Sequence, residues 1–207
     1  MVTLVVVGVS RLGSGPVEPV SAVAAVQPDC VPDATTSQNC WAAITDGTDP
    51  RLVPSPWITG RLLDGDVSTV LDHVAARFDA EVEPVDPSSS WGWAYRSVRG
   101  EGSGSDDSDG TDGGTDVDPG AAGGSELSNH ASGTSIDLNA TEHPLGSTDT
   151  FSSAQVDAIH AILAEVAPVV AWGGDFDGRV DEMHFEIVGD AAAVAEVAAR
   201  LRGGTTG

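Results

Sequence analysis

Residues 100–124 read GEGSGSDDSDGTDGGTDVDPGAAGG, glycine, serine and aspartate with almost no apolar side chain. Such a run cannot bury enough apolar area to offset the entropy of ordering it, so it reads as a disordered, solvated insertion. Foldable sequence therefore lies on either side, and any shared core must be assembled across the gap. The aspartates hint at calcium, but their spacing does not follow the EF-hand loop with its closing glutamate.

The acidic bias extends through the whole chain. Its 207 residues include 32 acidic and 9 basic ones, for a formal net charge of -23, and every basic residue is an arginine. That balance excludes sequence-independent binding to DNA or RNA, which needs a basic footprint. It also argues against an anionic membrane surface as partner. The longest apolar runs fall far short of the ~18 residues of a membrane span, so a soluble protein is expected. The length suits one ordinary domain with extra segments. An acidic excess without lysine resembles adaptation to molar salt, where self-repulsion is screened. A halophilic protein should melt higher as salt rises. Equal melting temperatures at about 0.1 M and about 3 M salt would contradict that expectation.

Cys30 and Cys40 are the only cysteines, in a stretch rich in Pro, Asp, Thr and Ser. A short-loop disulfide, suited to an extracellular or virion setting, and a pair of free buried thiols both remain open. No histidine or further cysteine accompanies them, so they do not form a zinc site. Residues 2–9 (VTLVVVGV) read as a β-strand, because no basic region precedes them. The Ala-rich run from Ser21 to Val26 leaves a cryptic signal sequence as the alternative. Residues 1–50 are expected to be an N-terminal extension or docking segment with little core. The folded domain is expected over 51–203.

Within that domain, Val67, Val70, Leu71, Val74 and Phe78 recur at helical spacing, with Asp66 as the expected N-cap. Ala80 to Val85 and residues 91–99 (WGWAYRSVR) read as strands. A helix is expected over Ser153–Val166. Ser152 and Gln155 suit a capping box there, and Phe151 and Val156 a hydrophobic staple. Val169–Trp172 and residues 183–188 (MHFEIV) read as strands. Asp190 is placed to cap a last helix, which ends at Gly203. Without a βαβ rhythm, an α+β fold is favoured, a small antiparallel sheet flanked by helices.

Two segments carry chemistry. One is SNHASGTSIDLN from Ser128. The other is WGGD from Trp172, followed by DEMHFE from Asp181. In a strand, Met183, Phe185 and Ile187 alternate with His184 and Glu186. Strict alternation would put Asp181 on the core side, which is costly for a charge, so Asp181 is expected in the preceding turn. Gly133 allows a tight turn ahead of Ile136, Asp137 and Leu138. A polar face with His130, Asp137 and His184 has the composition of a catalytic zinc site with an open position for water. Water on such a metal has a pKa near ~7 and becomes a nucleophile at neutral pH. Asp181 could serve as its general base. A strand histidine beside a glutamate is also a common structural arrangement, so spacing alone leaves both readings open.

These segments resemble the signatures S-x-H-x-x-G-x-x-x-D, W-G-G-D and D-x-M-H-F-E of a zinc peptidase family. It includes D-alanyl-D-alanine carboxypeptidases and the L-alanyl-D-glutamate endopeptidases of phage endolysins. The resemblance spans roughly residues 57–188, in the right order, and omits the N-terminal 50 residues. It implies the Hedgehog/DD-peptidase-like fold and one Zn2+ held by His130, Asp137 and His184, with Asp181 as catalytic base. Arg96, beside Tyr95, matches a family arginine that steadies the substrate and its developing oxyanion. A surface salt bridge is the plainer role for it. Ser128 is expected to support the site by hydrogen bonding, and Tyr95 and Trp172 to support it or meet substrate. His143 reads as structural, and His73 and His160 as solvated. The acidic tract falls between Arg96 and His130, where relatives have a shorter connection.

The implied activity is hydrolysis of a D-amino-acid-containing cell-envelope peptide by an extracellular or virion-associated enzyme, or one held in the cytoplasm until lysis. The alternative is a catalytically silent zinc module of a virion tail or surface, docked through residues 1–50. A metal-independent structural protein is the third reading.

Overall fold

The computed structural model describes residues 31–98 and 126–204. The strand expected at 2–9, the Ala-rich run at 21–26, Cys30 and the acidic tract at 100–124 lie outside them. The fold is α+β. It comprises β1 (Leu52–Pro54), β2 (Arg61–Leu63), α1 (Asp66–Glu81), β3 (Ser135–Asp137), α2 (Ser153–Val166), β4 (Val170–Trp172), β5 (His184–Ile187) and α3 (Ala191–Gly204). β1 and β2 form an antiparallel pair, and the second sheet has the antiparallel order β3-β5-β4.

The apolar stripe of α1 dictates the packing. Val67, Val70, Leu71, Val74 and Phe78 are all buried, and α1 rests against both α2 and α3. The Phe78 ring meets Phe151 and Phe185 edge-on, each at 5.9 Å between centroids. Phe185 lies on β5, so the helical layer and the sheet share one core. Ser152 and Gln155 form the capping box that starts α2. Asp190 accepts from the Ala193 N–H at 2.8 Å at the start of α3. Among the described residues no helix is long and apolar enough to cross a membrane.

Three local expectations are corrected. Gly65, not Asp66, is the N-cap of α1, and Asp66 instead pairs with Arg202 of α3. Ala80–Val85 is not a strand: α1 runs to Glu81, and the Val82 N–H still bonds the Phe78 carbonyl. Pro84 has no N–H to give to a ladder, while Val82 and Val85 reach the core without one. Residues 91–98 make only single bridges, Trp91 with Thr59 and Asp137, and Ser97 with Leu127. Their backbone N–H groups turn in succession to Asp137, Arg61 and His130. The segment stitches several elements together and lines no single partner long enough to be a strand.

Residues 36–44 pack onto the body. Ile44 is 1% exposed, its N–H bonds the Ala131 carbonyl at 2.8 Å, and the Trp41 Nε1–H bonds the Gly189 carbonyl at 3.2 Å. Cys40 is disulfide-bonded, and the chain's other cysteine is Cys30.

Candidate metal centre

The turn 129–132, β3 and β5 bring three side chains to one point. Ser128 caps the turn, its Oγ accepting the His130 N–H at 3.4 Å. Gly133 ends the turn at φ 69, a left-handed conformation that glycine adopts without strain. A Cβ there would also stand 2.8 Å from the Leu63 nitrogen. The chain enters β3 directly, and Asp137 is paired across the ladder with His184. Residues directly opposite point to the same face. His130, Asp137 and His184 are all buried, with one ligand atom of each within 4.8 Å of the others, so the group could hold a metal ion.

The protons identify what such a group lacks. His130 Nδ1 lies 2.6 Å from the Gly92 carbonyl oxygen. A carbonyl only accepts, so Nδ1 carries the hydrogen, and burial holds the ring in its neutral form by lowering its pKa. Nε2 is then a bare lone pair. It is buried, 3.2 Å from Asp137 Oδ2 and without a hydrogen-bond partner. Two acceptors facing one another in a dry site is costly, and a cation between them removes the cost. Asp137 is held well below the usual carboxylate range although burial works against its charge, and the N–H that His184 turns to it favours the carboxylate. His184 donates from Nδ1 to Asp137 at 2.7 Å and from Nε2 to Glu186 at 3.1 Å. Burial pulls its pKa down, but these two carboxylates push it up to about 10. A metal on Nδ1 competes with that proton.

Asp181 stands in the turn before β5. Its N–H bonds the Gly173 carbonyl at 3.0 Å, and its carbonyl accepts from His184 N–H at 3.0 Å. Gly173 is required by this close approach, since a Cβ would lie 2.3 Å from the Asp181 carbonyl oxygen. The Asp181 Oδ1 atom is buried with no hydrogen-bond partner. Burial pushes the carboxyl up to about 6, despite the opposing charge of His184. Trp172 is buried and donates from Nε1 to the Glu182 carbonyl at 2.7 Å, so it secures this turn. Arg96 and Tyr95 lie partly buried on the stitching segment. The Arg96 carbonyl accepts from Ser128 N–H at 3.0 Å, and its charge acts on both His130 and Asp181.

Several residues at the site escape a reading of the motifs. Gly92 sets the His130 tautomer. Asn129 donates to Glu186 Oε2 at 2.5 Å, and Glu186 holds His184. Glu182 is buried and accepts from the Asp149 and Thr150 N–H groups, both at 2.9 Å. His143 is buried in the same network, between Thr150 at 2.7 Å and Glu83 at 2.9 Å, and stacks on Phe151. It is structural, as expected. His160 is exposed, as expected, and pairs with Asp175, whereas His73 is half-buried and pairs with Glu165. The available signal was the polar character of Glu186 between the buried, apolar Phe185 and Ile187.

Residues 122–187 match the family model described as D-alanyl-D-alanine carboxypeptidase. That stretch includes His130, Asp137, Asp181 and His184; Arg96 precedes it. No curated protein and no solved structure matches the chain.

Proposed function

We propose that this protein is a zinc-dependent peptidase acting on a short cell-envelope peptide that contains D-amino acids. The observation that carries the reading is the buried, unprotonated Nε2 of His130 facing Asp137. Neutral imidazole nitrogen and carboxylate oxygen suit zinc, and three protein ligands leave a position open. One ion per chain would be held by His130, Asp137 and His184. Bound there, zinc supplies a Lewis acid that polarises the scissile carbonyl and acidifies a water.

The rest falls to the chain's own groups. Asp181 takes a proton from the attacking water and returns it to the leaving amine; a carboxyl pushed up to about 6 suits both transfers. Arg96 steadies the negative charge that develops on the carbonyl oxygen. Gly92 fixes the tautomer of His130, and Ser128 holds the turn that carries it. The description of the family model that matches residues 122–187 supports this substrate class. The Cys40 disulfide supports an oxidising, extracellular or virion-surface setting. A silent zinc module has less to support it, because a half-buried carboxylate whose Oδ1 is buried without a hydrogen-bond partner is costly to keep without a use.

The pH dependence tests the base. Asp181 works only when ionised; burial pushes it up to about 6 in the metal-free protein and a bound dication pulls it down. The kcat/KM on D-alanyl-D-alanine-terminated or L-alanyl-D-glutamate peptides should therefore rise with pH through an acid limb at or below about 6. An acid limb that stays in place in the residual activity of Asp181→Asn would remove Asp181 from the role.

A further inference from the structure

We propose that Asn39, outside every motif of the site, is a positioning residue for the metal centre, acting through Asn129 and Glu186 on His184. The proposal rests on the metal-site reading above.

The Asn39 backbone N–H donates to Asn129 Oδ1 at 2.9 Å. That contact fixes which way the Asn129 amide faces, because its oxygen must meet a donor. Its Nδ2 is thereby left to donate to Glu186 Oε2, and the same Oε2 accepts from His184 Nε2 at 3.1 Å. Reversing the Asn129 amide would set its oxygen against a carboxylate and its NH2 against an N–H. Both contacts would fail together. Glu186 is largely buried, so losing a donor leaves its charge poorly compensated. The His184 ring would then lose the partner that orients it.

Asn39 is held for this task on every side-chain atom that can bond. Its Nδ2 donates to Thr134 Oγ1 and to the Ile187 carbonyl, each at 2.8 Å. Its Oδ1 accepts from the Ser37 hydroxyl at 2.6 Å. One amide thus spans the approach to β3 and the end of β5, the two strands that supply Asp137 and His184. Cys40 closes the turn, its N–H on the Ser37 carbonyl at 2.7 Å and its φ at 60.

Zinc affinity, read by competition with a chromogenic chelator, tests this without any substrate. Asn39→Ala and Asn39→Asp keep the backbone N–H but lose the Nδ2 anchors to Thr134 and Ile187 that hold it in place. Each should therefore weaken zinc binding by up to about 10-fold, the low end of the cost of losing a direct partner of a metal ligand. Gln38→Ala, one residue away with its side chain on exposed Glu126, should bind like the parent. In a Glu186→Gln background the Asn39 effect should largely vanish, because both act along one path. Parent-like zinc binding by both Asn39 variants overturns the proposal. So does an Asn39 effect that adds in full to that of Glu186→Gln. A parent protein that binds no zinc would instead sink the metal site itself, and this proposal with it.

Discussion

Asp181→Asn is expected to lower turnover of a susceptible peptide by about 10²–10⁴-fold, the range that a general base contributes. The fold should not suffer for it. The carboxyl is half-buried, its Oδ1 has no hydrogen-bond partner, and burial has raised its pKa to about 6. A carboxyl with a folded-state pKa above its unfolded value is destabilising once ionised. That cost sets in as pH rises above about 4 and is complete above about 6. The amide removes it, a gain of up to about 2 kcal/mol in metal-free protein after allowance for solvent screening. Asp181→Asn should therefore melt at or above the parent at pH 7 and bind zinc as before. A variant that keeps parent activity removes Asp181 from catalysis. One that is inactive but also unfolded would show that the turn, and not the charge, needs this side chain.

Removing the metal should have the second large effect. His130 Nε2, left without a hydrogen because Nδ1 donates to the Gly92 carbonyl, lies 3.2 Å from Asp137 Oδ2. A ligand that binds only the folded state stabilises it by about 4 kcal/mol at a thousandfold excess over its Kd. Dialysis against a chelator should lower the melting temperature by about 10 °C, as about 4 kcal/mol would for a domain of this size. Peptide hydrolysis should fall to background. Readdition of zinc should restore both. His130→Ala should lose both responses, because its lone pair has no substitute among the neighbouring groups. Melting and activity that ignore the chelator would contradict the metal site.

Much of the site was legible because its motifs are local. The turn at Gly133 and the two-residue period of β5 made His130, Asp137 and His184 candidates, the motif resemblance favoured them as one ligand set where spacing left two readings open, and the capping box at Ser152 and Gln155 marks the start of α2. What escaped was non-local. Gly92 reaches His130 through a carbonyl, which every residue carries, so its identity gives no hint of the role. Asn39 lies about 90 residues in sequence from the groups it orients. The strand expected at 80–85 failed because Val82 and Val85 satisfy an apolar pattern by packing, while Pro84 denies the ladder. Residues 91–98 have strand composition but divide their hydrogen bonds among several neighbours. Composition reports burial, and only the partner list decides whether a strand forms.

Metal content decides the central claim. The purified protein, dialysed with zinc and then freed of excess ion, should carry one zinc per chain by elemental analysis, and His184→Ala prepared alongside it should carry none. No zinc in the parent after this loading, or equal zinc in both proteins, would contradict a centre built from His130, Asp137 and His184.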